Sequence, residues 1–301
     1  MEVVITDMDY EVDYFEGKTR KILVLGSGGQ VGAYLTEYLR CADVEVMEFD
    51  ITNGPDQDMT VIPNGELEAK IYMADFVYFL AFDVGGSHYL KKYQHTFNFI
   101  DNNTRLMANA FGLIEKYKKP FVFASSQMSN MSYSPYGVLK RVGELYTKSL
   151  GGLIVKFWNV YGIEKDMDKA HVITDFIRKG FETGVIDMMT DGTEAREFLY
   201  AEDCCEALET VMDEYDNLSC DDELHITTGV YTTVLEIAEE IKSLFAGIGK
   251  TITVTPAQSK DEVQKDARNV PDPYIKEFWQ PTTSVKEGLK KVFEEMKKDY
   301  E

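Results

Sequence analysis

Short apolar segments alternate with longer amphipathic segments along the first half of the chain. The apolar segments, which predict strands, are 21–25, 44–49, 75–81, 121–124 and 153–157. The amphipathic segments, which predict helices, are 31–39, 90–118 and 136–150. A continuous apolar run such as 21–25 is typical of a strand that is buried on both faces of a parallel sheet. The alternation therefore predicts an α/β fold with a doubly wound parallel sheet.

The pattern loosens after about residue 163. Helices are predicted at 171–184, 201–215 and 233–245, and a strand at 224–228. Thr233 and Glu236 match a capping box at the start of the last of these helices. We expect an acidic extension over 1–19, a doubly wound domain over 20–163, and a smaller lobe over 164–301 that returns some elements to the first domain.

Composition excludes several classes of partner. A formal net charge of −21 argues against nucleic acid, which is bound by clustered Lys and Arg. No apolar run reaches the roughly 20 residues that cross a bilayer, so we expect no membrane association. The first residues are acidic and lack the basic start of a secretory signal, which favours a cytoplasmic protein. The four cysteines lack CxxC spacing and the four histidines are scattered, so no metal site is predicted.

A glycine-rich turn directly follows the first predicted strand. Gly26, Gly29 and Gly32 fit the spacing GxxGxxG, with Gln30 and Val31 between the last two. Glycine permits a tight turn from strand to helix and lets backbone N–H groups approach a pyrophosphate. The turn therefore predicts a dinucleotide site.

Asp50 ends the second predicted strand, where a carboxylate can accept hydrogen bonds from the adenosine ribose. A carboxylate at this position repels a 2′-phosphate, so NAD is favoured over NADP as the cofactor. Four further residues fall where the adenine and the central wall of the cofactor site are expected: Asp58, Met59, Leu80 and Ala81.

Tyr136 and Lys140 are four residues apart in a predicted helix and share one face of it. A free phenol has a pKa of about 10, and a nearby ammonium together with a positive nicotinamide ring favours the phenolate. Lys140 can also hold the nicotinamide ribose. Ser126, after the preceding strand, can bind the same substrate oxygen as Tyr136. The three residues predict oxidation or reduction of an alcohol carbon.

Further segments join these motifs in order along residues 20–295. They are Asn103, Ser125-Ser126, Tyr136-Gly137-Val138-Leu139-Lys140, Asn159-Val160-Tyr161-Gly162, Asp191 to Phe198 with Tyr200 and Asp203, and Thr232 to Ala238. In this order the chain resembles an extended short-chain dehydrogenase/reductase of the nucleotide-sugar epimerase and dehydratase group. The resemblance implies a Rossmann-type NAD domain over 20–163 and a mainly substrate-binding lobe over 164–301.

The resemblance also implies a nucleotide-diphosphate sugar as the substrate. Asn159 matches an Asn that contacts the substrate, and His171 falls near the nucleotide diphosphate in relatives. Arg196 matches an Arg that holds the diphosphate or ribose, and its planar fork suits phosphate contact. Arg268 lies in a segment that resembles one touching the diphosphate. Asn103 is interpreted as structural. Relatives pair through the helices over 90–118 and 136–150, so we expect a homodimer or a higher oligomer.

Several reactions share a first step in which the sugar C4 hydroxyl loses its proton to the Tyr. Gln127 and Met128 occupy the positions where a 4,6-dehydratase has an Asp-Glu pair, and they do not act as acid and base. A 3,5-epimerase needs a Cys near Met128, and only its partner Lys has a counterpart, Lys169. Ser126, Tyr136 and Lys140 suffice for a 4-epimerase, which we favour, and for a 4-dehydrogenase or 4-keto reductase. A non-catalytic NAD-sensing module is the alternative of another class.

The connection between Ser126 and Tyr136 is only about ten residues long, shorter than in many relatives. The missing loop normally covers part of the sugar pocket. The pocket is therefore expected to be more open, or closed by other means such as Met128–Met131 or another subunit.

Overall fold

Strands and helices alternate along the described residues, 19–264 and 270–301 of a computed structural model. The strands are β1 (Arg20–Leu25), β2 (Val44–Phe49), β3 (Phe76–Phe79), β4 (Phe121–Ser126), β5 (Leu153–Phe157), β6 (Asn159–Tyr161), β7 (Val185–Asp187), β8 (Ala195–Tyr200), β9 (Glu223–Ile226), β10 (Tyr231–Thr233) and β11 (Thr253–Thr255). The helices are α1 (Gln30–Arg40), α2 (Gly65–Met73), α3 (Ser87–Tyr93), α4 (Phe97–Tyr117), α5 (Pro135–Leu150), α6 (Val172–Thr183), α7 (Ala201–Asp213), α8 (Val234–Gly247) and α9 (Val285–Lys297). The N-terminal extension predicted over 1–19 lies outside the described residues, except for its last position.

Six strands form one sheet in the order β2-β1-β3-β4-β5-β9, and every neighbouring pair is parallel. Alternate residues of β1 enter two different cores: Ile22 and Val24 pack with residues of α1 and α7, whereas Leu23 and Leu25 pack with residues of α2, α4 and α5. Side chains alternate between the two faces of a strand, so helices cover both faces of the sheet. The predicted doubly wound α/β fold is confirmed.

The carboxyl ends of β1, β3 and β4 meet at one edge of the sheet. Gly26, Leu80 and Gln127 begin the segments that follow these three strands. Ligands of open parallel sheets bind outside this edge. The fold therefore brings together the glycine turn and the Ser126 region, which are about a hundred residues apart in the sequence.

Two predicted elements were wrong in extent, and the helices α2 and α9 were missed. The helix expected over 90–118 is divided into α3 and α4, because the Thr96 hydroxyl accepts a hydrogen bond from Phe99 N and starts a new helix. The strand expected over 75–81 ends at Phe79, and the following residues line a cavity. The missed helix α2 begins at Gly65 and is capped by Asn64, whose side chain accepts a hydrogen bond from Leu67 N.

The second half of the chain forms a core of its own. β10, β8 and β6 form a three-stranded sheet and β11 pairs with β7. Residues of α6, α8 and α9 share a third apolar core with residues of β6 and β8. The capping box of Thr233 and Glu236 is confirmed. Of the described helices, none combines the length and apolar sequence that a membrane span requires.

Candidate active site

A cavity of about 1230 Å³ opens over the carboxyl ends of the parallel strands. It is lined by every residue predicted for the cofactor site: Gly26, Gly29, Gln30, Val31, Gly32, Asp50, Asp58, Met59, Leu80, Ala81, Tyr136 and Lys140. Ser126, Asn159 and His171 line it as well. Arg196 is not among the lining residues, and Arg268 lies outside the described residues.

Backbone packing explains the glycines of the turn. Gly26 has a φ of +90°, and a Cβ there would lie 2.6 Å from Ala81 N, in the segment after β3. A Cβ on Gly32 would overlap the carbonyl oxygen of Gly26. Substitution at either position would push the start of α1 away from the sheet, so these two glycines hold the turn closed.

Gly28 is a further residue of this cradle that the GxxGxxG spacing passes over. A Cβ there would overlap Thr52 Oγ1 and lie 2.7 Å from Asp50 Oδ1. The same Asp50 oxygen accepts hydrogen bonds from Thr52 N (2.9 Å) and Thr52 Oγ1 (2.7 Å). The carboxylate is therefore fixed beside the turn, where it fits an adenosine ribose. Gly28 and Asp50 are too far apart in the sequence for motif spacing to reveal this contact, but a fourth glycine in the turn was a visible signal.

The other residues of this end of the cavity are held by local bonds. The Gln30 amide lies between Val160 O and Gly162 N, 3.2 Å from each, so its side chain ties α1 to β6. Asp58 Oδ1 accepts hydrogen bonds from Thr60 N and Thr60 Oγ1. Gln30 therefore faces the cavity with its side chain already engaged.

Ser126 and Tyr136 are brought together by close packing of the short connection between them. Ser126 ends β4, and its hydroxyl accepts a hydrogen bond from Met128 N. Ser134 caps α5 by accepting from Gly137 N. A Cβ on Gly137 would overlap Met128 O, so only glycine lets the start of α5 approach the turn after Ser126.

Burial dominates the protonation of the Tyr136 and Lys140 side chains. It raises the pKa of Tyr136 to about 12, with a hydrogen bond to Ser126 acting in the opposite direction. It also lowers the pKa of Lys140 to about 7, against the attraction of Glu144. The sequence predicted a lowered pKa for this phenol beside an ammonium and a nicotinamide ring. Without the cofactor the pKa of Tyr136 is raised, because burial outweighs the hydrogen bond to Ser126.

The Lys140 amine is held between aromatic rings and the backbone. Its Nζ donates a hydrogen bond of 2.6 Å to Ala124 O and lies 3.8 Å from the centre of the Phe82 ring. The centre of the Tyr136 ring is 5.9 Å away. An ammonium at this position favours negative charge on the Tyr136 oxygen.

A segment of the second half of the chain lies against the short connection. Gln264 Nε2 lies 3.4 Å from Asn159 Oδ1, and Gln264 Oε1 accepts a hydrogen bond from Gln127 Nε2. Its carbonyl accepts a hydrogen bond from Tyr133. Val263 is buried in the same core as Met128 and Met131. Gln264 therefore packs against the short connection, for which the sequence had suggested closure by Met128–Met131 or another subunit.

Arg196 is buried on β8 and engaged within the protein. Its Nη2 lies 2.7 Å from Asp261 Oδ2 and its Nη1 donates to Ala195 O. Asp261 had not been singled out from the sequence. Any contact of Arg196 with a diphosphate would therefore share the guanidinium with Asp261.

His171 and Lys169 also line the cavity. His171 Nδ1 is 2.7 Å from Glu164 Oε1; burial opposes the charged imidazole, but the attraction of Glu164 outweighs it and raises the pKa of His171. Lys169 Nζ lies 3.1 Å from Asp83 Oδ1. Asn103 is fully buried and binds the backbone of Asp83 and Phe99, which agrees with a structural role.

A glycine cradle with a fixed carboxylate, and a Ser–Tyr–Lys set beside it on a parallel sheet, define an extended short-chain dehydrogenase/reductase. The chain belongs to the NAD dependent epimerase/dehydratase family, whose family model matches residues 22–226. The prediction of NAD as the cofactor is confirmed by this membership, and the cradle at Gly28 and Asp50 fits it.

Relatives in this family carry several different activities. The chain is 30% identical over 172 residues to a putative UDP-glucose 4-epimerase of Methanocaldococcus jannaschii, a match of 54% of this chain and 53% of the relative. It is 22% identical over 326 residues to UDP-glucuronic acid decarboxylase 1 of Xenopus tropicalis, covering 96% of this chain and 75% of the relative. The chain thus spans about half the length of the first of these relatives.

Solved structures show the same fold. An epimerase of Methanothermobacter thermautotrophicus superposes with a TM-score of 0.80 at 19% identity, over 94% of this chain and 93% of the other. A UDP-glucuronic acid 4-epimerase of Bacillus cereus, in complex with UDP-glucuronic acid and NAD, gives a TM-score of 0.77 at 21% identity, over 93% and 100% of the two chains.

Proposed function

We propose that the protein is an NAD-dependent nucleotide-sugar 4-epimerase that acts through a 4-keto sugar. The observation that carries the proposal is the buried Tyr136–Lys140 pair beside Ser126, in the same cavity as the glycine cradle. The bound NAD supplies reversible acceptance of a hydride. Every other part of the chemistry falls to side chains of this chain.

Tyr136 takes the proton of the C4 hydroxyl while the C4 hydrogen leaves as hydride. Ser126 holds the same oxygen, and the Lys140 ammonium favours the phenolate that the buried ring otherwise resists. The keto sugar then turns over, receives hydride on its other face and takes the proton back from Tyr136. Atoms and charge balance over the cycle.

The residues around this set favour epimerisation over dehydration. Gln127 and Met128 follow Ser126, and an amide and a thioether do not exchange protons with a sugar carbon at neutral pH. We further propose that Asn159, His171 and Arg196 contact the nucleotide sugar, and that Arg268 contacts its diphosphate. Residues 164–301 then act mainly as the substrate-binding lobe of a cytoplasmic enzyme.

A panel of UDP-, GDP-, CDP- and dTDP-sugars tests the proposal. We expect one of them to change its C4 configuration, followed by NMR, with no lasting change in absorbance at 340 nm. Lasting NADH would instead identify a 4-dehydrogenase, and consumption of added NADH with a 4-keto sugar would identify a reductase. Tyr136→Phe is expected to lower the rate by about 10²–10⁴-fold. An unchanged rate in that variant would remove Tyr136 from the chemistry. A protein that converts no sugar, and whose phenotype is the same with Tyr136→Phe, would favour a non-catalytic NAD-sensing module.

A further inference from the structure

A buried cluster of charged side chains lies behind Lys140, between α5 and the sheet. Its centre is Glu144, which is fully buried one helical turn after Lys140. Arg141 Nη1 lies 2.6 Å from Glu144 Oε2, and Lys156 Nζ lies 3.4 Å from Glu144 Oε1. A fully buried carboxylate is costly unless it is paired, so its presence next to the proposed catalytic pair calls for an explanation.

Two side-chain bonds join α5 to the end of β4. The Ser125 hydroxyl donates a hydrogen bond of 2.6 Å to Glu144 Oε1, and Lys140 Nζ donates one of 2.6 Å to Ala124 O. Ser125 directly precedes Ser126, and α5 carries Tyr136. The two bonds therefore set the position of Ser126 relative to Tyr136.

Among the described residues, Glu144 is the negatively charged group whose attraction raises the pKa of Lys140. The other groups around the amine are the rings of Phe82, Phe123 and Tyr136 and the carbonyl of Ala124. Burial alone favours the neutral amine, and Glu144 acts in the opposite direction. The charge of Lys140 thus depends on this one carboxylate.

The other charged residues of the cluster affect how strongly the Glu144 carboxylate attracts Lys140. Lys156, on β5, lies between Glu144 and Glu223 of β9, with its Nζ 2.7 Å from Glu223 Oε2. His225 Nε2 is 3.7 Å from the same Glu223 oxygen, and burial together with Lys156 lowers the pKa of His225. The negative charge of Glu144 therefore acts on three cations, Lys140, Arg141 and Lys156. Lys156 lies closer to Glu223 than to Glu144.

We propose that Glu144 is a positioning residue of the active site: it holds the end of β4 through Ser125, and its carboxylate, one helical turn from Lys140, favours the charged amine beside Tyr136. This role rests on the proposed function, because the charge of Lys140 matters only if Tyr136 exchanges a proton. Glu144 itself touches neither substrate nor cofactor.

Titration of Lys140 in the absence of cofactor and substrate tests the charge directly. Lysine labelled with ¹³C at Cε gives one signal that disappears in Lys140→Met, and its midpoint is followed by NMR. In Glu144→Gln we expect the midpoint to fall by about one pH unit, because the neighbouring anion is gone. In Lys156→Met we expect a rise of about one unit, because a competing cation is gone. Glu144→Asp is expected to stay closer to the wild type than Glu144→Gln.

The Lys140 midpoint is expected to fall in Glu144→Gln and to rise in Lys156→Met. These opposite shifts distinguish an electrostatic role of Glu144 from a merely structural one. Glu144→Gln leaves Arg141 and Lys156 less compensated and can fail to fold; the rise in Lys156→Met then decides by itself. A midpoint that does not move in Lys156→Met, or that does not fall in a folded Glu144→Gln, would overturn the proposal.

Kinetics add a second measurement once a substrate is found. We expect kcat of Glu144→Gln to fall about tenfold for one unit of lost protonation, with KM nearly unchanged. The alkaline limb of the kcat profile should move to lower pH, and Glu144→Asp should restore most of it. A fall in kcat without that movement would contradict the inference. If no nucleotide sugar is converted, the proposed function fails, whereas the Lys140 titration still decides the role of Glu144.

Discussion

The guanidinium of Arg196 and the carboxylate of Asp261 form a buried ion pair of 2.7 Å that links β8 to the segment beside the short Ser126–Tyr136 connection. The family resemblance assigns Arg196 to the substrate diphosphate or ribose. A diphosphate bound by Arg196 would share the guanidinium with Asp261. Substrate and the internal ion pair would then be in competition for the same charge.

Arg196→Met tests that competition. We expect KM for the nucleotide sugar to rise about tenfold or more, because a charge-assisted contact is lost, with a smaller change in kcat. Breaking the buried pair should also lower the free energy of unfolding by about 3–5 kcal/mol, measured in urea. Arg105→Met is the matched control, because Arg105 pairs with Asp101 on the exposed surface of α4. Equal KM values in wild type and Arg196→Met would remove the arginine from substrate binding.

Gly28→Ala tests the cofactor cradle. The added Cβ would overlap Thr52 and press on Asp50, so the carboxylate has to leave the position that fits the ribose. We expect NAD affinity, measured by calorimetry, to fall about tenfold or more, since one lost charge-assisted contact is worth about 1.5 kcal/mol or more.

Gly112→Ala is the control for Gly28→Ala. Gly112 lies within α4 and has open space around its missing Cβ, so alanine there should stabilise the helix by about 0.5–1 kcal/mol without changing NAD affinity. If both variants bind NAD like the wild type, the contact between Gly28 and Asp50 has no part in the cofactor site.

The buried amine of Lys140 predicts a pH dependence of stability. Its pKa is lowered to about 7 in the folded chain, and an unfolded lysine titrates at about 10.4. Between these values the unfolded chain binds more protons, so the free energy of unfolding should increase as pH rises from 7 towards 10. The slope from this group approaches about 1.4 kcal/mol per pH unit.

The difference between wild type and Lys140→Met isolates this contribution from that of other groups. We expect urea denaturation of the cofactor-free protein at pH 7, 8 and 9 to show a flatter rise in Lys140→Met. Lys118→Met, at an exposed position after α4, should follow the wild type. Parallel curves for wild type and Lys140→Met would mean that the amine is charged in the folded chain throughout this range.

An exposed apolar surface on α4 and α5 supports the expected homodimer. Phe97 on α4 is 77% exposed and Leu145 on α5 is 58% exposed, with Ile100, Val138, Val142 and Tyr146 also on the surface of the two helices. Apolar patches of this kind mark protein contacts. We expect a dimer by light scattering at micromolar concentration, and a monomer for the double variant Phe97→Asp, Leu145→Asp. Val230→Asp, at an exposed apolar residue away from both helices, should remain dimeric.

Features of the fold and the site that depend on residues close together in the sequence could be predicted. The apolar run at 21–25 followed by glycines predicts β1 and its turn, and the spacing of Tyr136 and Lys140 predicts their shared helical face. Asp50 could be placed because the end of a strand adjoins the turn in every parallel sheet of this type. Asp50, Tyr136, Lys140 and the glycines of the turn all line one cavity in the structure.

The remaining features depend on contacts between distant segments. Nothing near Asp261 or Gln264 in the sequence indicates that they meet Arg196 and Asn159, because those contacts join segments that are 65 and 105 residues apart. The raised pKa of Tyr136 without the cofactor could not be predicted for a similar reason: its burial depends on how α5 packs against β4 and Phe82. A sequence motif does not show how deeply its side chains are buried in the folded chain.

The strand β9 has a consequence for how this chain can be divided. It pairs with β5 along Ile154 to Phe157, and so it covers the last edge of the parallel sheet with residues from the second half of the chain. A fragment that stops at residue 163 would leave the backbone groups of β5 bare and open to pairing with other molecules. The two halves are best regarded as one cooperative folding unit, in which the distal half completes the scaffold that the nucleotide-binding half begins.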